Sequence, residues 1–302
     1  MARKRKGNPI HGWLVVDKPA GVTSSAVVNK LRWLLNAQKA GHAGTLDPDA
    51  TGLLAVAFGE ATKTIPFLTE ARKTYRFSVV FGTATSTDDA SGDVIATSEV
   101  KPDAKLIEAT LPQFRGAIMQ IPPQVSAVKV DGQRAYDLAR TGEVMALKAR
   151  PLFVETLELV TFDGDVAELT MTCGKGGYVR SIARDLGEAL ATKAHVGWLR
   201  RVQSGPFDLE GAIQFSDWAT IERERANDLV VALRPVEMAM IDFPTVILGA
   251  EAQVKVRNGN PALVASSNAE NGDTALAFAQ DVLLAIGEYQ SGLFKPSRVL
   301  NQ

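Results

Sequence analysis

Apolar and polar residues alternate in several stretches of this chain. In TYRFSVVFG, Thr74–Gly82, the residues Tyr75, Phe77, Val79 and Phe81 fall on one face, the period of a half-buried strand. FVETLELV and VAELTMTC repeat that alternation, and FDGDV between them supplies a hairpin turn. WLVVDKP, Trp13–Pro19, predicts a short buried strand closed by a proline turn. The spacing then becomes helical. Val27, Val28, Leu31, Leu34 and Leu35 predict a helix with Ser24 and Ser25 as candidate caps. Ile182, Leu186 and Leu190 predict a second one between Tyr178 and Ala194. A twelve-residue loop, GHAGTLDPDATG (Gly41–Gly52), precedes the small apolar run LLAVAFG.

Strands and helices mix without a regular βαβ repeat, which predicts an α+β fold rather than a doubly wound one. Two prolines bracket an irregular segment, Leu233–Pro244. Beyond it TVILG, ALAFA, LLAIGEY and RVL read as short strands separated by Gly/Asn turns, a small β-rich module. The expected organisation is a basic arm over 1–10, a large domain over 11–240 and a small one over 241–302.

The chain has 302 residues, 46% hydrophobic and 22% charged, the composition of a soluble globular protein. No apolar run reaches membrane-spanning length. The basic start, MARKRKGNPI, lacks the apolar stretch of a secretory signal. A single cysteine, Cys173, leaves no intrachain disulfide and no cysteine zinc cluster, and suits a reducing cytoplasm. Net charge is −1, but its distribution is uneven. Arg3, Lys4, Arg5 and Lys6 stand unopposed, and Lys175–Arg201 is rich in Lys and Arg with only Asp185 and Glu188 against them. A near-neutral chain of this kind can still present one basic face to a polyanion.

The twelve-residue loop admits three readings. Asp47 and Asp49 could share a magnesium ion. Zinc is a poor fit, because His11, His42 and His195 are widely separated and form no paired ligand motif. DPDAT also fits the D-x-D-x-[TV] pattern of haloacid-dehalogenase-like phosphotransferases, whose first aspartate is a nucleophile. That motif follows a buried apolar strand, whereas GHAGTL precedes it here. Gly, Pro, Asp and Thr are, finally, turn residues with no chemistry required.

The loop does not stand alone. GHAGTLDPDATGLL with AFGEATK (Gly41–Lys63) resembles the catalytic motif of the TruB family of tRNA pseudouridine synthases. Further segments resemble that family in order: WLVVDKPAGVTS (Trp13–Ser24), KTYRFSVVFGTATSTDDASG (Lys73–Gly92), PPQVSAVKVDGQRAYDLARTG (Pro122–Gly142), and CGKGGYVRSIARDLGEAL with AHVGWLRR (Cys173–Arg201). VRNGNPA and AIGEYQSGLFKPSRVL are similar to the PUA-like module that ends many bacterial members.

The resemblance implies a mixed, mainly antiparallel sheet in the catalytic domain and a C-terminal PUA-like RNA-binding domain. It implies isomerisation of uridine 55 in the T-loop of tRNA, with the base flipped out before chemistry. The glycosidic bond breaks, the uracil turns and C5 bonds to the sugar. Nothing is oxidised or hydrolysed overall, so the stoichiometry calls for no cofactor and no metal. Asp47 takes the place of the catalytic aspartate. It attacks C1′ or C6, or assists a glycal route; the sequence leaves all three open. Arg180 matches the arginine that pairs with this aspartate, and a guanidinium can hold a carboxylate through two bonds.

Tyr75 aligns with the tyrosine that stacks on the flipped base. His42 corresponds to the residue that fills the space the base leaves, Leu199 to the apolar wall of the uracil pocket, and Tyr178 falls beside them in the GYVR segment. Lys18, Lys63 and Lys129 occupy basic positions suited to phosphate contact. Asp49 holds a variable position without a catalytic role. Two positions depart from the family pattern: Gly177 stands where threonine is frequent, and Val125 where tyrosine is. The implied partner is tRNA through its T-stem-loop, with no membrane, no obligate protein partner and a monomeric, cytoplasmic enzyme.

Overall fold

The computed structural model describes residues 7–126, 129–130, 133–134, 145–215 and 226–301. Arg3 to Lys6 of the basic arm lie outside the described residues. Ten strands among the described residues form one sheet. In chain order these are β1 (Gly12–Lys18), β2 (Ala40–His42), β3 (Thr51–Phe58), β4 (Lys73–Phe81), β5 (Gly116–Gln120), β6 (Arg150–Asp163), β7 (Val166–Cys173), β8 (Ala194–Ser204), β9 (Phe207–Asp208) and β10 (Ile213–Gln214). Their order is β10-β1-β3-β8-β4-β7-β6-β5, with β2 beside β3 and β9 beside β8. Only β1–β10 and β3–β8 run parallel, so the sheet is mainly antiparallel, as expected.

The predicted alternation is the sheet's inner face. Phe77, Val79 and Phe81 pack with Leu157, Leu169, Met171, Ile182 and Leu186 in one buried cluster, and Tyr75 and Leu199 border it. On the other half, Leu14, Val16, Leu54 and Val56 pack on the helix α1 (Ser24–Leu34) through Val27, Leu31 and Leu34. The helices α2 (Ile65–Glu70), α3 (Ala104–Thr110), α4 (Val179–Ala189) and α5 (Ala226–Val231) complete this part.

Two expectations are corrected. Thr23, not Ser24 or Ser25, caps α1, its side chain accepting from the Ala26 N–H at 3.1 Å. α4 ends at Ala189, and Ala191 adopts φ +54°. The following AHVGWLRR is the strand β8, paired with both β3 and β4.

The C-terminal residues form a second sheet of six strands: β11 (Thr245–Ile247), β12 (Ala262–Leu263), β13 (Ser266–Ser267), β14 (Thr274–Ala279), β15 (Val282–Gln290) and β16 (Leu293–Val299). A helix absent from the sequence reading, α6 (Ala250–Arg257), packs against it through Val256. The two sheets share apolar packing: Leu276, Leu283, Ile286 and Leu300 lie in one cluster with Trp13, Leu53, Leu68 and Met240. Burial of that many side chains, each contributing roughly 1.5–3 kcal/mol, fixes the small sheet on the large one.

Candidate active site

The Gly41–Gly52 loop enters from β2 and leaves into β3, and side chains from distant elements hold it. Ser24 Oγ accepts from the Leu46 N–H and donates to the Leu46 carbonyl, both at 2.9 Å. Lys18 Nζ donates to Pro48 O at 2.8 Å, and to Pro19 O and Val22 O at 2.8 and 2.7 Å. Arg201 Nη2 donates to Gly44 O at 3.1 Å, while its Nε donates to Leu53 O at 2.8 Å. The Ala50 N–H closes a turn on Asp47 O at 3.2 Å. Leu46 and Ala50 are buried on either side of this turn, which leaves the Asp47 carboxylate, 43% exposed, facing outward.

That carboxylate meets Arg180. Nη2 lies 2.9 Å from Asp47 Oδ2, Nε 3.6 Å from Asp89 Oδ2, and Nη1 donates to Thr87 O at 3.2 Å. Arg180 sits in the first turn of α4, whose start is fixed by Gln120: its side chain accepts from the Tyr178 N–H and donates to the Tyr178 carbonyl. Asp89 is itself held by Thr87 Oγ1 and Ser91 Oγ, each 2.6 Å from Oδ1. Sequence reasoning assigned Asp89 no role, though the clustered Thr, Asp and Ser of TSTDDASG is the signature of such a side-chain-stabilised turn.

A cavity of about 290 Å³ opens beside Asp47, lined among others by Tyr75, Lys73, Tyr178, Arg180, Leu199 and Arg201. This is just below the roughly 300–1,000 Å³ of small-molecule clefts. The pairing of β8 with β4 sets Leu199 opposite Phe77 and Arg201 opposite Tyr75, which brings the predicted tyrosine and leucine to one wall. Burial raises the Tyr75 hydroxyl above its ordinary value, with Arg201 opposing. Burial likewise raises that of Tyr178. A second cavity, about 350 Å³, lies across the Asp47–Arg180 pair and is lined by Asp89, Ser91, Val125 and Trp198.

Other predicted residues stand apart from these cavities. His42, at the end of β2, lines neither; burial, with the charge of Arg201, lowers its imidazole from the usual value. Lys63 bonds Glu60 at 2.6 Å and Val299 O at 2.5 Å, tying the C-terminal strand to the large sheet. Lys129 begins a two-residue strand paired with Gln133–Arg134, and its side chain lies outside the described residues. Lys18 is fully buried. A lysine spent on three carbonyls cannot reach a phosphate in solution, so its expected backbone contact is replaced by a structural one. Gly177 is explained by packing: a Cβ there would lie 2.6 Å from Cys173 Sγ.

Two results are expected from this geometry. Gly52 has φ +96°, and a Cβ would sit 2.2 Å from the Arg201 carbonyl oxygen. Gly52→Ala should therefore destabilise the fold by at least about 2–3 kcal/mol, read by denaturant unfolding. Unchanged stability would refute the tight β3–β8 contact.

The second result concerns pH. Burial lowers Lys18 and Lys73 from 10.5 to about 8. Above pH 8 the Lys18 ammonium loses its proton and with it part of the hold on Pro48, so turnover should fall. Stability should respond with the opposite sign: between pH 8 and 10.5 the unfolded chain binds more protons than the folded one, so these two lysines make stability rise with pH. Lys18→Met should slow turnover and remove its share of both trends, in parallel rate and melting measurements. It should leave the salt dependence of RNA affinity unchanged, which a phosphate-binding lysine would not.

The fold and the cavity together define a class: a mainly antiparallel sheet that carries a paired aspartate and arginine at the mouth of a cavity lined by Tyr75 and Leu199. The family model for the TruB family pseudouridylate synthase N-terminal domain matches residues 32–179, and that for the tRNA pseudouridylate synthase B C-terminal domain matches residues 180–241. The chain is 58% identical over 303 residues to tRNA pseudouridine synthase B of Cereibacter sphaeroides, covering 100% of each. It is 56% identical to the protein of that name from Roseobacter denitrificans, covering 100% of this chain and 99% of the relative. Its fold is similar to a solved chain in a Cbf5-Nop10-Gar1 complex, with TM-score 0.72, 27% identity and coverage of 95% and 84%. The chain belongs to the TruB family of pseudouridine synthases, enzymes that isomerise uridine to pseudouridine in tRNA.

Proposed function

We propose that this enzyme acts on uridine 55 of the tRNA T-loop, flipping it into the Asp47 cavity, and that it works alone as a cytoplasmic monomer. The observation that supports this most is the 2.9 Å contact of Arg180 with Asp47 at the wall of a cavity of about 290 Å³, roomy enough for a flipped nucleoside. A stacked base is out of reach of any side chain, so the uridine must leave the helix, at a cost of a few kcal/mol. Tyr75 and Leu199 then meet the ring from the wall they share, and Asp47 reaches the sugar or C6. Arg180 keeps the carboxylate aimed throughout. The C1′–N1 bond breaks, the uracil rotates, C5 bonds to C1′, and the C5 proton is exchanged for one at N1. The balance requires no added reactant.

Residues 11–240 supply this site, and residues 241–302 act as a PUA-like RNA-binding domain. The arm over 1–10 and Lys129 supply basic contacts to the RNA backbone. The test is conversion of an unmodified tRNA transcript by purified enzyme in excess EDTA, with pseudouridine located by mass mapping after pseudouridine-selective carbodiimide labelling. The expected result is modification at position 55 alone. Modification elsewhere in the tRNA, with position 55 untouched, would overturn the site assignment. A phosphotransferase reading of DPDAT predicts instead Mg²⁺-dependent phosphate release.

A further inference from the structure

The base cavity carries a charge excess that the Asp47–Arg180 pair does not explain. Lys73 and Arg201 both line it, and both are buried, 6% and 1% exposed. Neither has a carboxylate partner within ion-pair distance among the described residues; Lys73 bonds backbone carbonyls alone, and Arg201 bonds backbone carbonyls and the Tyr75 hydroxyl. Lys73 Nζ donates to Leu68 O, Thr69 O and Ala71 O. Arg201 uses Nε on Leu53 O and Nη2 on Gly44 O. Its Nη1 takes part in neither bond and lies 3.2 Å from where a Gly44 Cβ would be. Gly44 has φ +81° and no side chain, which lets the guanidinium pack directly on its backbone. Across the strand pair, Arg201 stands opposite Tyr75.

A buried cation without a counter-ion is costly to hold, and it is of use where a reaction creates an anion. Given the uridine reading above, this reaction creates one. When C1′–N1 breaks, the bond's electron pair stays on the base, which becomes a uracil anion with charge spread over N1, O2 and O4. The charge disappears when C5 donates an electron pair to C1′, the C5 proton leaves and N1 is protonated. We propose that Arg201 stabilises the detached anionic base, and so acts on the bond-breaking step apart from the Asp47–Arg180 pair.

Leaving-group acidity distinguishes this role from a structural one. Fluorine at C5 makes the base more acidic, so a substrate with 5-fluorouridine at the target needs less external charge stabilisation. Single-turnover consumption of the target nucleoside would be measured on T-stem-loop RNAs carrying either base, with wild type, Arg201→Gln and Arg201→Lys. Arg201→Gln should slow the uridine RNA on the order of 100-fold and the 5-fluorouridine RNA less than about tenfold, with affinity unchanged. Arg201→Lys, which keeps a cation, should fall between. If Arg201→Gln does not fold, the ratio of Arg201→Lys losses on the two RNAs carries the same test. Equal losses on both RNAs, or a loss in affinity rather than rate, would overturn the proposal. A wild type inactive on the uridine RNA would instead strike the substrate reading.

Discussion

Asp47→Asn should abolish pseudouridine formation, a loss of roughly 10⁴-fold or more, while tRNA binding stays within a few-fold of wild type. The substitution keeps shape, removes the charge and turns one acceptor oxygen into a donor. Nothing else that holds the loop depends on either. Ser24 still bonds Leu46, Lys18 still bonds Pro48 O, and Leu46 and Ala50 remain buried. Arg180 keeps Thr87 O at 3.2 Å and Asp89 at 3.6 Å. Single-turnover conversion and filter binding on one tRNA preparation separate the two properties. An asparagine variant that still converts its uridine would show that another group starts the reaction.

Arg180→Met should give the second largest effect, a rate loss on the order of 10²–10³-fold against less than about a tenfold change in affinity. The guanidinium spans Asp47, Asp89 and the Thr87 carbonyl, and methionine fills its volume without any of these bonds. Two carboxylates then face each other across an apolar side chain, and Asp47 loses its aim. Breaking a fully buried ion pair destabilises a fold by about 3–5 kcal/mol. Asp47 is 43% exposed, so the cost here should be smaller. Arg180→Lys keeps the charge but cannot bridge both acids and the carbonyl, and should recover only part of the rate. Equal losses in rate and affinity would assign Arg180 to RNA binding.

How much of this was legible in the sequence depended on the kind of residue. Strands with clean alternation, such as Lys73–Phe81, were readable because one face of each is buried and the period is fixed. The Asp47–Arg180 pair was readable only through the ordered motifs, since no local pattern links residues so far apart. Two of the lysines have structural bonds that the sequence does not announce, for a physical reason. A charged side chain in a loop-rich motif suggests solvent, yet the flexible stem of Lys18 brings its ammonium to three inward-pointing carbonyls, and Lys63 is used to fasten the C-terminal strand. Ser24 resembled a helix cap because caps and loop clamps use the same hydroxyl; its position one residue inside the helix turns it toward Leu46.

The helix Ala250–Arg257 has a weak apolar stripe with Val256 as its buried residue, so periodicity gave no signal. Asp89 and Arg201 lay inside recognised motifs. Their placement at the cavities follows from β8 pairing with β4 and from the Arg180–Asp89 contact, neither of which is local in sequence.

The most direct test of the central claim is mass mapping, after pseudouridine-selective carbodiimide labelling, of position 55 in tRNA from cells lacking this chain, supplied with either the wild type or Asp47→Asn. Pseudouridine at that position should depend on the chain, return with the wild type and stay absent with the variant. Pseudouridine that persists without the chain, or that the Asp47→Asn protein restores, would contradict the claim.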